Sequence, residues 1–203
     1  MYRFCTFIFL FLSVFTSGAF AQDIKDPEAI YKKIKFLRAM QDSASSGEDS
    51  LKVWTSRMSC VTDECMAPDR LTTELNKRGE TEPLAAFYAG LLNLEFAQRA
   101  NDHGLVKMVE SSSKDARKRF AFASSAGIAA ASWNMGVIYA TNLGVAGSKL
   151  AAIEWYGRAG HQYLRDGERE TALASLEKME TMDSKHPDST RLRAALFPEP
   201  KKK

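Results

Sequence analysis

The chain has 203 residues, of which 28 are basic and 25 are acidic, so its formal net charge at pH 7 is +3 with neutral histidines. A balance this even does not indicate nucleic acid or an anionic membrane surface as the partner. The length is sufficient for one helical domain with an elongated core.

The N-terminal segment, residues 1–21, has the pattern of a secretory signal peptide. Arg3 precedes an apolar run from Phe4 to Phe15, and Ala19-Phe20-Ala21 fits the A-x-A cleavage pattern. A membrane anchor is the alternative, but the run is shorter than the roughly 20 residues that a spanning helix needs. Cleavage would remove one basic residue, Arg3, and no acidic residue. No second long apolar run follows, so we expect no integral membrane segment in the mature chain.

The cysteines agree with export. Cys5 lies in the signal segment, and Cys60 and Cys65 remain, separated by four residues. An even pair in an oxidising compartment favours a disulfide that closes a short loop. A zinc site would need two further ligands, and no histidine lies near this loop. Free thiols or redox chemistry are the alternative, although the spacing is not C-x-x-C.

Residues 22–81 are predicted to form an N-terminal helical region that contains the Cys60–Cys65 loop. Asp26-Pro27-Glu28 begins a helix whose lysine-rich face we interpret as solvated rather than membrane-bound. The polar stretch 41–50 is predicted to be a loop. Ala67-Pro68-Asp69 begins a second helix, which Gly79 ends.

Residues 82–127 predict a first helical pair. Glu82-Pro83 begins a helix with an inward face that comprises Leu84, Phe87, Leu91 and Leu94. Residues 101–113 are predicted to be a long connection, at the end of which Ser113 caps the partner helix.

Residues 129–165 predict a second pair, in which small residues on one helix meet aromatic residues on the other. The loop between them contains Gly144 and Gly147, which are free to adopt left-handed conformations, and Ser148 as a candidate N-cap. A helix over 168–182 follows, with Ala172, Leu173, Leu176 and Met179 inward. A short helix over 189–197 ends the fold, and residues 198–203 are predicted to be a disordered tail.

The second pair resembles a Sel-like repeat, a relative of the tetratricopeptide repeat. The matching residues are Ala131, Trp133-Asn134-Met135-Gly136, Tyr139, Leu143-Gly144-Val145, Ala152, Trp155-Tyr156 and Ala159-Gly160. The first pair resembles the repeat more loosely, through Tyr88-Ala89-Gly90, Ala116, Phe120, Ala123 and Ala126-Gly127, and departs from it in the connection at 101–113. The helix that ends the second pair would also begin a third unit.

The resemblance implies an all-α fold: a right-handed α-solenoid of antiparallel helical hairpins over 82–197, with residues 22–81 as an N-terminal helical cap. It also implies a concave face that binds a protein or peptide. Carried over position by position, that face would comprise Phe87, Leu91, Glu95, Trp133, Val137, Thr141, Glu154, His161 and Arg165. Phe87, Leu91 and Val137 are equally explained as core, and Trp133 as either a binding anchor or a buried residue.

Together with the signal pattern of residues 1–21, the resemblance implies an exported interaction scaffold of the bacterial envelope, located in the periplasm or, alternatively, secreted. The sequence contains none of the common hydrolase or phosphate-loop motifs, and the three histidines do not converge in a pattern. We therefore expect no enzymatic activity, cofactor or metal. The alternatives are a penicillin-binding or peptidoglycan-acting enzyme of the secreted Sel-like repeat kind, and a secreted effector.

Overall fold

The structure is a computed structural model that describes residues 26–45 and 68–198, with side chains described over 26–39 and 71–198. The predicted signal peptide, the Cys60–Cys65 bridge and the tail beyond Pro198 lie outside these residues. The described parts contain helices and no strand, which confirms the all-α prediction. The helices are α1 Pro27–Ser45, α2 Pro68–Arg78, α3 Pro83–Asp102, α4 Val106–Ser125, α5 Ala129–Ala140, α6 Lys149–Arg165, α7 Arg169–Asp183 and α8 Pro187–Leu196.

None of these helices, taken over the two described stretches, has both the length and the apolar character needed to cross a membrane. The chain divides into two compact units, residues 1–74 and 75–203.

The first unit contains α1, which begins as the sequence predicts. The Asp26 carboxylate accepts hydrogen bonds from the backbone N–H groups of Glu28, at 3.1 Å, and Ala29, at 3.2 Å, and so caps the helix. Ile30 and Ile34 are buried. The predicted loop at 41–50 is wrong at its start, because α1 continues to Ser45. No glycine or proline lies between Pro27 and Gly47, and Ser, Asp and Ala are all tolerated within a helix.

The second unit begins with a corner between α2 and α3. Arg78 and Glu82 form a bidentate pair across this corner, with Nε–Oε1 at 3.0 Å and Nη2–Oε2 at 2.6 Å. This hydrogen bonding lowers the pKa of Glu82. Arg119 on α4 donates to the Asn76 carbonyl at 3.1 Å and so ties the corner to the next helix.

The long connection predicted at 101–113 is wrong. Helix α3 continues to Asp102 and α4 already begins at Val106, with Gly104 at a φ of +68° in the tight turn between them. The serines at 111–113 indicated a loop, but they lie within α4. Serine is tolerated at these positions because backbone carbonyls accept hydrogen bonds from the hydroxyls. Ser111 donates to the Met108 carbonyl, and buried Ser113 donates to the Leu143 carbonyl at 2.5 Å. Ser113 is therefore not an N-cap.

Helices α3 and α4 pack as an antiparallel pair through a glycine–aromatic contact. A Cβ on Gly90 would lie 2.7 Å from the ring of Phe120, which is fully buried. The buried face of α3 is rich in alanine, including Ala85, Ala86 and Ala89. The prediction that Leu84 lies inward is wrong: its side chain is 44% exposed, because the small alanines let α4 approach on the other side of the helix.

Helices α5 and α6 pack in the same way, as the sequence predicts. A Cβ on Gly136 would lie 2.8 Å from the ring of Tyr156. Ser148 caps α6, accepting from the Ala151 N–H at 3.1 Å. In the loop between the helices Gly144 has the predicted positive φ, of +61°, but Gly147 does not, and Asn142 takes a left-handed conformation instead, at +57°. Asn tolerates that region better than most residues, and Gly147 leaves room for the Asn142 side chain.

Helix α6 packs against α5, α7 and α8. Ala172, Leu176 and Met179 of α7 are buried as predicted, whereas Leu173 is exposed. Helix α8 begins at Pro187, two residues before the predicted start. His186 is its N-cap, with Nδ1 accepting from the Asp188 N–H at 3.2 Å.

A buried polar network links α4, α5 and α6. Ser132 donates to Gln162 Oε1 at 2.5 Å, Gln162 Nε2 donates to the Ser124 carbonyl at 3.0 Å, and the two serine hydroxyls lie 2.6 Å apart. Because the single proton of Ser132 goes to Gln162, Ser124 donates to Ser132. All three side chains are buried and each is satisfied, so the network fixes the relative positions of three helices.

Candidate functional site

One side of α3 is left uncovered by its partner helix, and we call it the α3 face: Leu84, Tyr88, Leu91 and Glu95. These residues follow at intervals of four, three and four positions, which places them on one side of a helix. All four are exposed or half-buried, in contrast to the alanine-rich side that meets α4. The α3 face is mainly apolar and aromatic, with one acidic group near its C-terminal end.

Helix α5 presents an equivalent surface, the α5 face: Ala130, Asn134, Val137 and Thr141. The intervals are the same as on α3, and these residues too are exposed or half-buried. Asn134 Nδ2 donates to the Ala130 carbonyl and Thr141 Oγ1 donates to the Val137 carbonyl, each at 2.8 Å. The α5 face is therefore smaller and more polar than the α3 face.

An aromatic ring borders each face at the same position. Phe87 packs on Phe120 with ring centroids 6.1 Å apart, and Trp133 packs on Tyr156 edge-to-face with centroids 5.1 Å apart. Both rings are half-buried. Counted from Gly90 and Gly136, Phe87 and Trp133 are each three residues earlier, and Glu95 and Thr141 are each five residues later. The glycine, the bordering aromatic and the aromatic beneath it thus recur in both hairpins.

The three predicted site residues on α6 lie elsewhere. Glu154, His161 and Arg165 are exposed and share one side of α6. Tyr156, on which Trp133 packs, is buried on the opposite side of the same helix. The structure therefore places Glu95, Trp133 and Thr141 on or beside the α3 and α5 faces, and does not bring the α6 residues to them. A binding role for any of these residues stays a prediction.

Sequence reasoning missed Leu84 and Tyr88 as members of the α3 face. It assigned Leu84 to the core because of its apolar character. The small residues Ala85, Ala86 and Ala89 could have indicated which side of α3 is buried. The side of a helix that carries alanine and glycine allows the closest approach of a neighbouring helix.

Two tyrosines of α6 have raised pKa values. Burial raises the pKa of Tyr156, and burial together with the nearby charge of Glu168 raises the pKa of Tyr163. Over the described residues, no three side chains of His, Cys, Asp or Glu lie close enough to hold a metal ion. The two faces themselves offer apolar contact, a few hydrogen-bonding groups and the carboxylate of Glu95.

Comparison of the chain with protein-family models, with curated proteins and with solved structures finds no match.

Proposed function

We propose that this chain is an exported Sel-like repeat protein of the bacterial envelope that binds a partner protein through its α3 and α5 faces. The observation that carries the proposal is the recurrence of one arrangement in two successive hairpins. Gly90 lies against Phe120 beneath Phe87, and Gly136 lies against Tyr156 beneath Trp133. Repeat proteins stack such equivalent units and bind ligands on the surface that the stack exposes.

Two further observations support a stacked arrangement. Helix α6 contacts α5 on one side and α7 on another, as expected of a helix that ends one hairpin and begins the next. The connection predicted at 101–113 is a short turn between two long helices. The first hairpin therefore departs less from the repeat pattern than its sequence suggests. We infer a right-handed α-solenoid over 82–197, with residues 22–81 as its N-terminal helical cap.

The chemistry of the two faces favours a peptide segment as the bound part of the partner. In the stack, the α3 and α5 faces would lie side by side as the concave surface. Leu84, Tyr88 and Leu91 would bury apolar side chains of the segment. The Thr141 hydroxyl donates its proton to the Val137 carbonyl, so its exposed oxygen would accept a hydrogen bond from a backbone N–H of the segment. The signal-peptide pattern of residues 1–21 supports export, and we propose the periplasm as the location.

Site-specific photo-crosslinking tests this proposal in cells that carry the chain with its own N-terminal segment. The crosslinker p-benzoylphenylalanine replaces Leu84 on the α3 face in one variant and Thr141 on the α5 face in another. Leu150 on α6 is a matched control for Leu84, since it is also an exposed leucine, at 55% against 44%.

We expect the same discrete adduct from positions 84 and 141 and none from position 150. An adduct that forms at position 150 alone would contradict the assignment of the binding surface. No adduct at any position, with the protein present in the periplasm, would contradict the scaffold function.

A further inference from the structure

A cavity of about 540 Å³ lies in the second unit, and none of its lining residues belongs to the two faces. It is formed by the turn between α3 and α4, the first half of α4 and the loop between α5 and α6. We call it the α4 cleft, and its lining includes Val106, Val109, Glu110, Lys114, Arg117 and Val145. Val106 is 65% exposed although it is apolar. The cleft therefore combines an apolar surface with a small group of charges.

The wall that the α5–α6 loop contributes is held in place. Gly144, at a φ of +61°, approaches α4 so closely that a Cβ would lie 2.6 Å from the Val109 carbonyl oxygen. The adjacent Leu143 carbonyl accepts from Ser113 of α4 at 2.5 Å. Because these contacts fix the loop against the helix, the cleft is formed before any ligand arrives, as is usual for binding sites.

Arg117 has an unsatisfied donor at this cleft. Its guanidinium lies over the ring of Tyr139, 6.0 Å from the centroid, and its Nε–H is buried without a hydrogen-bond partner. Lys114, one helical turn away, lines the same cavity. Over residues 26–39 and 71–198, neither side chain is engaged in an ion pair with a carboxylate. A buried donor without an acceptor is unfavourable, and rotation of the guanidinium toward the cleft would let an anion there accept from it.

The charges of the lining favour an anion with a single negative charge. Lys114 and Arg117 contribute two positive charges and Glu110 contributes one negative charge, so the cleft is left with one positive charge. A single carboxylate neutralises it, and the planar guanidinium can donate Nε–H and an Nη–H to the two carboxylate oxygens as a fork. The valines beside it suit a short apolar group.

We propose that the α4 cleft binds one carboxylate attached to a short apolar group. Two sources share this chemistry: a free small carboxylic acid, and the C-terminal carboxylate of a peptide that ends in an apolar residue. This inference does not rest on the proposed function, because the α4 cleft shares no residue with the α3 and α5 faces.

The test uses the protein purified after export, labelled with ¹⁵N, and titrated with N-acetyl-L-leucine. The matched control probe is N-acetyl-L-leucinamide, which has the same apolar group and no charge. We expect saturable shifts of the Arg117 Nε–H signal and of the Gly144 and Val145 amides with the acid, and at least about tenfold weaker binding of the amide. Equal binding of the two probes, or no binding of the acid, would overturn the proposal.

Variants of α4 locate the site. Arg117→Lys keeps the charge but removes the pair of donors that form the fork, and we expect it to weaken binding of the acid by about tenfold. Lys114→Gln removes one charge, and we expect it to weaken binding of the acid by about threefold. Lys118→Gln is the control, since this exposed neighbour loses the same charge outside the cleft. An equal loss in Lys118→Gln and Lys114→Gln would overturn the site, because it would reflect net charge alone. Thermal unfolding of each variant confirms that it is folded.

A peptide arm distinguishes the two sources. The probe is acetyl-Ala-Ala-Leu with a free C-terminus, compared with the same peptide amidated. Tighter binding of the free peptide than of N-acetyl-L-leucine indicates a C-terminal ligand, and equal or weaker binding indicates a small acid. Loss of binding by the α3-face variant Leu84→Glu would contradict the separation of the cleft from the proposed partner surface.

Discussion

Replacement of Gly136 by alanine tests the contact on which the second hairpin depends. The added Cβ would lie 2.8 Å from Cδ1 and Cε1 of Tyr156, about 1 Å closer than carbon atoms normally pack. Tyr156 is only 3% exposed and Trp133 packs on its ring, so the ring has little room to move. Overpacking of this kind lowers the free energy of unfolding by about 1–3 kcal/mol, and alanine returns up to about 1 kcal/mol through its higher helix propensity.

We therefore expect Gly136→Ala to lose about 1–2 kcal/mol of stability, which lowers the unfolding temperature by about 2–8 °C for a chain of this size. The measurement is urea unfolding followed by circular dichroism. In a Tyr156→Leu background the ring is absent, so the same Gly136→Ala change should be neutral or stabilising. A loss of equal size in both backgrounds would refute the reasoning, because the cost would then not come from the ring.

The buried polar network and the buried tyrosines give two further predictions. Gln162→Leu should lower the free energy of unfolding by about 2–3 kcal/mol, since it removes the acceptor of the buried Ser132 hydroxyl and the amide donor to the Ser124 carbonyl. The triple variant Ser124→Ala, Ser132→Ala, Gln162→Leu should recover most of that loss in urea unfolding, and no recovery would show that the serines do not depend on Gln162. Burial raises the pKa of Tyr163, so the unfolded chain releases this proton at lower pH than the folded chain, and stability should fall as the pH rises above about 10. Tyr163→Phe should make that fall shallower in urea midpoints measured between pH 8 and 11, and an unchanged slope would contradict the contribution of this phenol.

The sequence predicts the starts of helices well where proline follows an acidic residue or an alanine. Pro27, Pro68 and Pro83 each occupy the first helical position, where a missing N–H costs nothing. The glycine–aromatic pairing of α5 and α6 was also predictable, because small and aromatic residues recur there at helical spacing. Both signals depend on residues that are close together in the sequence, so packing against distant elements does not change them.

The wrong predictions share a different physical cause. The serines at 111–113 are typical of loops, but the hydroxyl of Ser113 is satisfied by Leu143, thirty residues later. Leu84 is apolar and yet exposed, since the adjacent alanines determine which side of α3 meets α4. In both cases the outcome depends on a neighbour that is distant in sequence, and local propensity carries no information about it.

The candidate sites were predictable only in part. Helical spacing indicates Leu91 as part of an apolar side of α3, and the family pattern gives Glu95, Trp133 and Thr141. It also adds the exposed stripe on α6, which the structure separates from the other two faces. The unsatisfied Nε–H of Arg117 could not be predicted, because a charged residue on a helix has the same sequence signature whether it is solvated or buried against a loop.

The most direct test of the proposed scaffold function is the affinity of the partner identified by crosslinking for two matched variants, Leu84→Glu on the α3 face and Leu150→Glu on α6. Both replace an exposed leucine with the same acid, so their effects on net charge are equal. If the α3 face binds the partner, Leu84→Glu should weaken binding by about tenfold or more because it places an unpaired charge in an apolar contact, and Leu150→Glu should leave the affinity unchanged. Equal affinities of the two variants, or a loss confined to Leu150→Glu, would contradict the assignment of the partner surface to the α3 face.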